Sequence, residues 1–181
     1  MPKINPINLS DPGAARDVVD SVKKSLGSVP NIFATLAHSP AALEGFLGFS
    51  GALSKGVLPA SVREQIALTV AGANECDYCA SAHTLMAKGA GVAEEEARQN
   101  LRGQATDPKV AAILTFARNV VETRGRVSDQ QLAELRSANV SDAELVEVIA
   151  HIGVNLFTNY FNHIADTQVD FPFVTSNTRA A

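Results

Sequence analysis

The sequence predicts an all-α domain of eight or nine helices. Apolar residues recur every three or four positions along most of the chain, and the two-residue alternation typical of strands is nearly absent. Glycine, proline and serine fall where these helical segments begin or end, and the linkers between them are short. We therefore expect one helical domain over residues 1–181, with residues 1–10 as an extended N-terminal arm and residues 167–181 as an extended C-terminal tail.

The first half of the chain contains four predicted helix starts. An amphipathic segment is stopped by Gly27, Pro30 begins a short second helix, and Ser39-Pro40 begins a third. Ser61-Val-Arg-Glu64 has the spacing of a capping box, in which the serine accepts a first-turn amide and the glutamate bonds back. The predicted segments are 11–26, 30–37, 39–53 and a helix from residue 61.

The second half predicts a helix through the two cysteines and four more behind it. Two of these four begin with a capping-box pattern, Ser128-x-x-Gln131 and Ser141-x-x-Glu144. The four predicted segments are 92–101, 107–123, 128–138 and 141–166. Phe171-Pro-Phe173 in the tail is expected to act as a packing arm, which in an oligomer could reach a neighbouring subunit.

Composition excludes several classes of function. With 15 Lys and Arg against 19 Asp and Glu, the chain has no basic field for nucleic acid. Two cysteines are too few for a disulfide-rich secreted scaffold. The first ten residues carry two prolines and no apolar core, and no apolar stretch is free enough of polar residues to cross a membrane. We therefore expect a cytoplasmic protein, in a reducing compartment where a cysteine pair is more often catalytic or metal-binding than structural.

The two cysteines lie in the segment Cys76-Asp-Tyr-Cys79-Ala-Ser-Ala-His83. On a helix Cys79 and His83 share a face, and a cysteine at a helix start gains from unpaired amides that favour thiolate. His83 can exchange the thiol proton, and a second thiol three residues away can close a local disulfide. Glu75 and Asp77 flank Cys76 and oppose its ionisation, so the two sulfurs are predicted to play different roles.

Other interpretations of this segment stay open. Cys76, Cys79, His83 and Glu64 are all allowed zinc ligands, although the chain has no second Cys/His pair at ligand spacing. The cysteines could also be buried and inert. A c-type haem is excluded because Ala80 stands where the attachment motif needs histidine.

Glu64 followed by Cys76-x-x-Cys79-x-x-x-His83 resembles the signature of the AhpD-like alkylhydroperoxidases, within the carboxymuconolactone-decarboxylase-like superfamily. The resemblance runs from about residue 29 to residue 172 and favours the peroxidase-related subgroup. It implies a compact AhpD-like helical protomer, an obligate homo-oligomer (a trimer or hexamer), and no metal or other cofactor.

The same resemblance implies reduction of small hydroperoxides through a dithiol cycle fed by a thiol electron donor. Cys79 would attack the peroxide, Cys76 would be its more exposed resolving partner, and Glu64 with His83 would form the proton relay. Well-studied members resemble Cys-x-His-Cys, so Tyr78 here replaces a relay histidine. The alternatives are a redox-responsive interaction protein with incidental peroxidase activity and a decarboxylase-like enzyme acting on a lactone.

A stripe of polar residues runs along the last predicted helix. Its members, at spacings of four, four, four and three, are Glu147, His151, Asn155, Asn159 and Asn162. Buried polar groups of this kind must be paired, so the stripe predicts either a hydrogen-bonded seam or a polar wall near the thiols. In the second case His151 or His163 would line the access to the substrate.

Overall fold

The computed structural model describes residues 1–177 and is all-helical over that range, which confirms the predicted class. The last four residues of the predicted C-terminal tail, 178–181, lie outside the described residues. A 3₁₀ turn (Gly13–Ala15) precedes nine α-helices in this part of the chain. They are α1 (Arg16–Leu26), α2 (Asn31–Leu36), α3 (Pro40–Leu53), α4 (Ala60–Ala73), α5 (Asp77–Gly89), α6 (Glu94–Asn100), α7 (Pro108–Thr123), α8 (Asp129–Ser137) and α9 (Asp142–Ala165).

Helix α4 forms the centre of the fold. All its residues from Gln65 to Gly72 are buried, and it packs against α5, α6, α7 and α9. Leu68 on one side belongs to an apolar cluster formed with α1, α2, α5 and the tail, and Ile66 belongs to a second cluster with α7, α8 and α9. Because α4 lies between both clusters, it fixes α5 and α9 relative to each other.

Two of the three predicted capping boxes are present. The Ser128 and Ser141 hydroxyls accept the amides of Gln131 and Glu144, and both partner side chains bond back. The box predicted at Ser61 is wrong, because Pro59 occupies the N-cap position and the helix begins one residue before Ser61. The Glu64 side chain therefore does not cap α4.

The C-terminal tail folds back along α5 of its own chain. The backbone N–H and the hydroxyl of Ser176 both donate to Asp77 Oδ1 at 2.7 Å, and the amide of Val174 donates to Ser81 Oγ at 2.9 Å. Phe171 packs edge-on against Tyr78, with the ring centroids 5.6 Å apart. The predicted packing arm therefore covers the helix that carries the cysteines.

No helix in residues 1–177 is long and apolar enough to span a membrane.

At Gly72 the backbone of α4 packs closely against the residue that follows α6. A Cβ atom built on Gly72 would lie 1.9 Å from the carbonyl oxygen of Leu101, so the two backbones would have to separate. We expect Gly72→Ala to lower the free energy of unfolding by about 2 kcal/mol, as overpacking of a core does. Urea unfolding followed by circular dichroism measures this change.

Gly48 provides the matched control, because it is also helical but a Cβ there meets nothing within 4 Å. Gly48→Ala is expected to be neutral or to stabilise the protein by up to about 1 kcal/mol. Equal unfolding midpoints for the two variants would contradict the close packing at Gly72.

Candidate active site

Both cysteines lie at the start of α5. Glu75 adopts a left-handed conformation (φ 56°) that turns the chain out of α4, and Cys76 then caps α5 with extended backbone. Cys79 follows in the first helical turn. Both thiols are free, and both residues are buried, with exposed fractions of 1% for Cys76 and 3% for Cys79. The expectation that Cys76 is the more exposed thiol is therefore wrong in this chain, where the first apolar cluster encloses both cysteines.

The two thiols differ sharply in acidity. A hydrogen bond from the Cys76 thiol lowers the pKa of Cys79 to about 6 against the opposing effect of burial, with help from the charge of His83 and the amides of Asn162 and Asn159. The same hydrogen bond, together with burial, raises the pKa of Cys76 well above its usual range. Asp77 adds a smaller upward effect on the pKa of Cys76, in the direction that the sequence predicts. At neutral pH Cys79 is thus the thiolate and Cys76 the thiol.

Glu64 and His83 form a hydrogen-bonded pair between α4 and α5. Glu64 Oε2 lies 2.7 Å from His83 Nδ1, and both side chains are about one-fifth exposed. Burial lowers the pKa of His83, but the charge and hydrogen bond of Glu64 outweigh it, and the net direction is upward. Glu64 therefore favours an imidazolium at His83, and that positive charge stabilises the Cys79 thiolate.

Helix α9 supplies further contacts to Cys79 that the sequence did not assign. Asn162 Nδ2 donates to Cys79 Sγ at 3.3 Å, and Thr158 Oγ1 lies 4.0 Å from the same sulfur. Asn159 accepts a hydrogen bond from Asn74 at the end of α4. The polar stripe is thus both a hydrogen-bonded seam and a wall beside the thiolate. Its helical spacing of three or four residues was the signal for Asn162, but no pattern marked Thr158.

The amide of Asn162 stabilises the thiolate directly, and its removal has a measurable consequence. A hydrogen bond to a charged group contributes about 1.5–3 kcal/mol. We expect Asn162→Leu to raise the pKa of Cys79 and to slow its alkylation at pH 6 by about 10-fold. The rate of iodoacetamide labelling against pH, followed by mass spectrometry, measures this effect.

Asn155→Leu is the control for this measurement, because the Asn155 amide donates within α9 to the carbonyl of His151 and not to the sulfur. The labelling midpoint of that variant is expected to match the wild type. A similar midpoint shift in both variants would mean that Asn162 acts through packing alone.

Tyr78 and His163, the other two predicted accessory residues, lie away from this relay. The Tyr78 hydroxyl donates to Asp170 Oδ1 at 2.8 Å and accepts the amide of Ile32 at 3.2 Å. Burial raises the pKa of Tyr78 well above its usual range, so the hydroxyl stays protonated. It ties the tail and α2 to α5. His163 is exposed near the end of α9.

His151 lies beside the Glu64–His83 pair. All three residues line a cavity of about 180 Å³ between α3, α4, α5 and α9, which Thr158 connects to the sulfur of Cys79. A larger cavity of about 450 Å³ lies between α5, α6 and the tail, and its lining includes neither cysteine, Glu64 nor His83. Neither cysteine lines the smaller cavity, but its lining contains Glu64 and His83, and Thr158 in the same lining lies 4.0 Å from the sulfur of Cys79.

The zinc alternative has no geometric support. Within residues 1–177, no three His, Cys, Asp or Glu side chains form a group that could hold a metal ion. Glu64 and His83 are instead hydrogen-bonded to each other.

Comparisons with known proteins agree with this architecture. Residues 40–123 match the carboxymuconolactone decarboxylase family. No curated protein matches the sequence.

Solved structures match almost the whole chain. An uncharacterized peroxidase-related protein from Ralstonia eutropha JMP134, described as an alkylhydroperoxidase AhpD core, is 25% identical with a TM-score of 0.81, covering 92% of this chain and 93% of that one. A peroxidase-related protein from Silicibacter sp. TM1040 is 19% identical (TM-score 0.78, 92% of each chain). The debrominase Bmp8 is 23% identical (TM-score 0.79, 93% and 92%). The two less similar structures share the fold. Residues 40–123 thus match the carboxymuconolactone decarboxylase family, and the chain as a whole has the AhpD-like fold of these solved structures.

Proposed function

We propose that the protein reduces small hydroperoxides through a Cys76–Cys79 dithiol cycle, without haem or metal. The observation that carries this proposal is the pairing of two buried thiols with opposite acidity, one of them beside a hydrogen-bonded glutamate–histidine pair. A thiolate at neutral pH is a nucleophile, and a neighbouring thiol can resolve the oxidised product.

In the first step the Cys79 thiolate attacks the terminal oxygen of the hydroperoxide. A sulfur–oxygen bond forms, the oxygen–oxygen bond breaks, and the leaving alkoxide takes a proton and departs as an alcohol. His83 is suited to supply that proton, because Glu64 holds its Nδ1 and favours its protonated form. Cys79 is left as a sulfenic acid.

In the second step the Cys76 sulfur attacks the sulfenic sulfur of Cys79. The Cys76 proton and the sulfenic hydroxyl leave as water, and a disulfide joins residues 76 and 79. The hydrogen bond between the two thiols holds Cys76 against its target. An external dithiol then reduces the disulfide, so the cycle belongs in a reducing compartment.

The direct test is consumption of tert-butyl hydroperoxide by the reduced protein without an added reductant. One equivalent of peroxide should disappear while two free thiols are lost together, and adding a dithiol should restore turnover. Loss of peroxide with no loss of thiols would overturn the proposal.

The redox-responsive alternative predicts a different result in the same sample. If the disulfide serves to change assembly, the oligomer size should differ between the reduced and oxidised protein, and turnover should be slow. Rapid turnover with unchanged size favours the enzyme. A lactone decarboxylase would keep its activity in the Cys76→Ser/Cys79→Ser variant.

We also propose that the chain forms a homo-oligomer through the outer face of α9. Large apolar side chains are exposed along this face at helical spacing, with exposed Gly153 at its centre. They are Val146, Ile149, Phe157, Tyr160 and Ile164, between 43% and 67% exposed. A contiguous apolar face of this length is typical of a protein–protein interface, and a second copy presents the same apolar face.

Charge on this face is expected to dissociate the oligomer. Size-exclusion chromatography with light scattering should give a multimer for the wild type and a monomer for Ile149→Arg/Ile164→Arg. Leu26→Arg is the control, since Leu26 is 57% exposed but lies on α1. A wild-type monomer would contradict the proposed assembly.

A further inference from the structure

We propose that the cavity beside Glu64 and His83 selects small substrates that carry a carboxylate, which Arg63 and His151 bind. This inference rests on the proposed function, because it names the class of hydroperoxide that reaches Cys79. In the rest of this section the 180 Å³ space between α3, α4, α5 and α9 is called the relay cavity.

His151 contributes a polar atom that lacks a partner. The residue is 7% exposed, and its Nε2 is buried with no hydrogen-bond partner among the described residues. Burial and the nearby charge of Arg63 lower the pKa of His151, so the ring is neutral and can present an N–H at Nε2. Leaving such a group unpaired costs about 1–3 kcal/mol, which a ligand oxygen would recover.

Arg63 contributes the positive charge. One guanidinium nitrogen, Nη1, donates to the carbonyl of Leu58 at 2.8 Å, and the residue makes no ion pair within the part of the chain that the structure describes. The other N–H groups have the geometry that binds a carboxylate with two parallel hydrogen bonds. Glu64, the acidic residue in the same lining, is already paired with His83.

The remaining walls limit the size and character of the ligand. Phe46, Ala67 and Val154 form apolar parts of the lining, while Thr158 lies between the cavity and Cys79. The volume is well below the roughly 300–1,000 Å³ of pockets for drug-sized ligands. A short carbon skeleton with a carboxylate at one end and a hydroperoxide at the other matches this arrangement.

Benzoate and its neutral analogue benzamide provide a matched pair of probes that need no turnover. Isothermal titration calorimetry on the reduced wild type should show benzoate binding at least about 10-fold tighter than benzamide. Arg63→Gln should abolish that preference, and His151→Gln should weaken benzoate binding several-fold. Arg63→Lys keeps the charge and is expected to retain part of the preference.

Arg102→Gln is the control for general loss of positive charge, because Arg102 is exposed beyond α6 and outside the cavity lining. It should bind benzoate as the wild type does. Equal binding of benzoate and benzamide, an absence of benzoate binding, or an equal loss in Arg102→Gln would overturn the inference.

A second measurement tests whether benzoate binds in the relay cavity. Benzoate should slow alkylation of Cys79 by iodoacetamide in the wild type and should fail to do so in Arg63→Gln; binding without protection would contradict the assignment to the relay cavity. Consumption of tert-butyl hydroperoxide, a neutral substrate, is measured on the same samples. If that activity persists while benzoate shows no preference, only the carboxylate inference fails. If benzoate binds and protects Cys79 while no peroxide is consumed, the proposed function fails instead.

Discussion

Replacing Cys79 with serine is expected to lower the rate of hydroperoxide consumption by on the order of 1,000-fold or more. A serine hydroxyl stays protonated at neutral pH and is a poor nucleophile, whereas the Cys79 thiol has a pKa of about 6 and is mostly thiolate. The contacts from Asn162 and His83 would surround a neutral group and stabilise no anion. Peroxide loss in a stopped-flow assay, with the alcohol product quantified, measures the rate.

Cys76→Ser separates attack from resolution. That variant keeps Cys79 and should consume peroxide once, leaving a sulfenic acid that a dimedone adduct identifies by mass. The serine hydroxyl can still donate a hydrogen bond to the Cys79 sulfur, so the first turnover is expected to proceed at close to the wild-type rate. Peroxide consumption by Cys79→Ser at the wild-type rate, or rapid repeated turnover by Cys76→Ser, would show that this dithiol mechanism is wrong.

The sequence predicted the helices because their signals are local. Apolar periodicity and the caps at Ser128 and Ser141 depend on residues within one turn, and both are present in the structure. The capping box at Ser61 has the same local pattern, but Pro59 takes the N-cap position and the helix begins one residue before Ser61. Glu64 instead extends to His83. This is a contact between two helices, and the spacing of residues along the chain does not predict it.

Exposure of Cys76 was mispredicted for a related reason. The side chains that enclose it belong to a cluster drawn from α1, α2, α4 and the tail, segments far apart in sequence. No sequence pattern around residue 76 predicts that the C-terminal tail folds back onto α5. Part of the arrangement around Cys79 could be predicted from the sequence, because the polar stripe on α9 contains Asn162 and His151. Their separate roles, at the sulfur and in the relay cavity, depend on how α9 packs on α4 and α5.

The pH dependence of Cys79 tests the second central feature, the pairing of Glu64 with His83. Above a pKa of about 6 the wild-type thiol is ionised, so alkylation should rise through pH 6 and stay level above pH 7. In Glu64→Gln the carboxylate that raises the pKa of His83 is gone. His83 would then lose its proton at a lower pH, its positive charge beside Cys79 would disappear at neutral pH, and the pKa of Cys79 would move up towards the value of about 8.5 of an ordinary thiol.

The expected loss in Glu64→Gln combines two effects. The fraction of Cys79 present as thiolate at pH 7 falls by about 10-fold for each pH unit by which its pKa rises above 7, and His83 no longer holds the proton for the leaving alkoxide. We therefore expect peroxide consumption at pH 7 to fall by about 100-fold, with partial recovery as the pH is raised towards 9. The recovery separates the two effects, because high pH restores the Cys79 thiolate but does not restore the proton that His83 would donate to the alkoxide.

Glu44→Gln is the control for this measurement, because Glu44 lies exposed on α3 and outside the lining of the relay cavity. Its labelling midpoint and turnover should equal those of the wild type. If Glu64→Gln kept a labelling midpoint near pH 6, the thiolate of Cys79 would be stabilised by Cys76 and the α9 amides alone. The hydrogen bond between α4 and α5 would then position His83 without setting the acidity of the thiol.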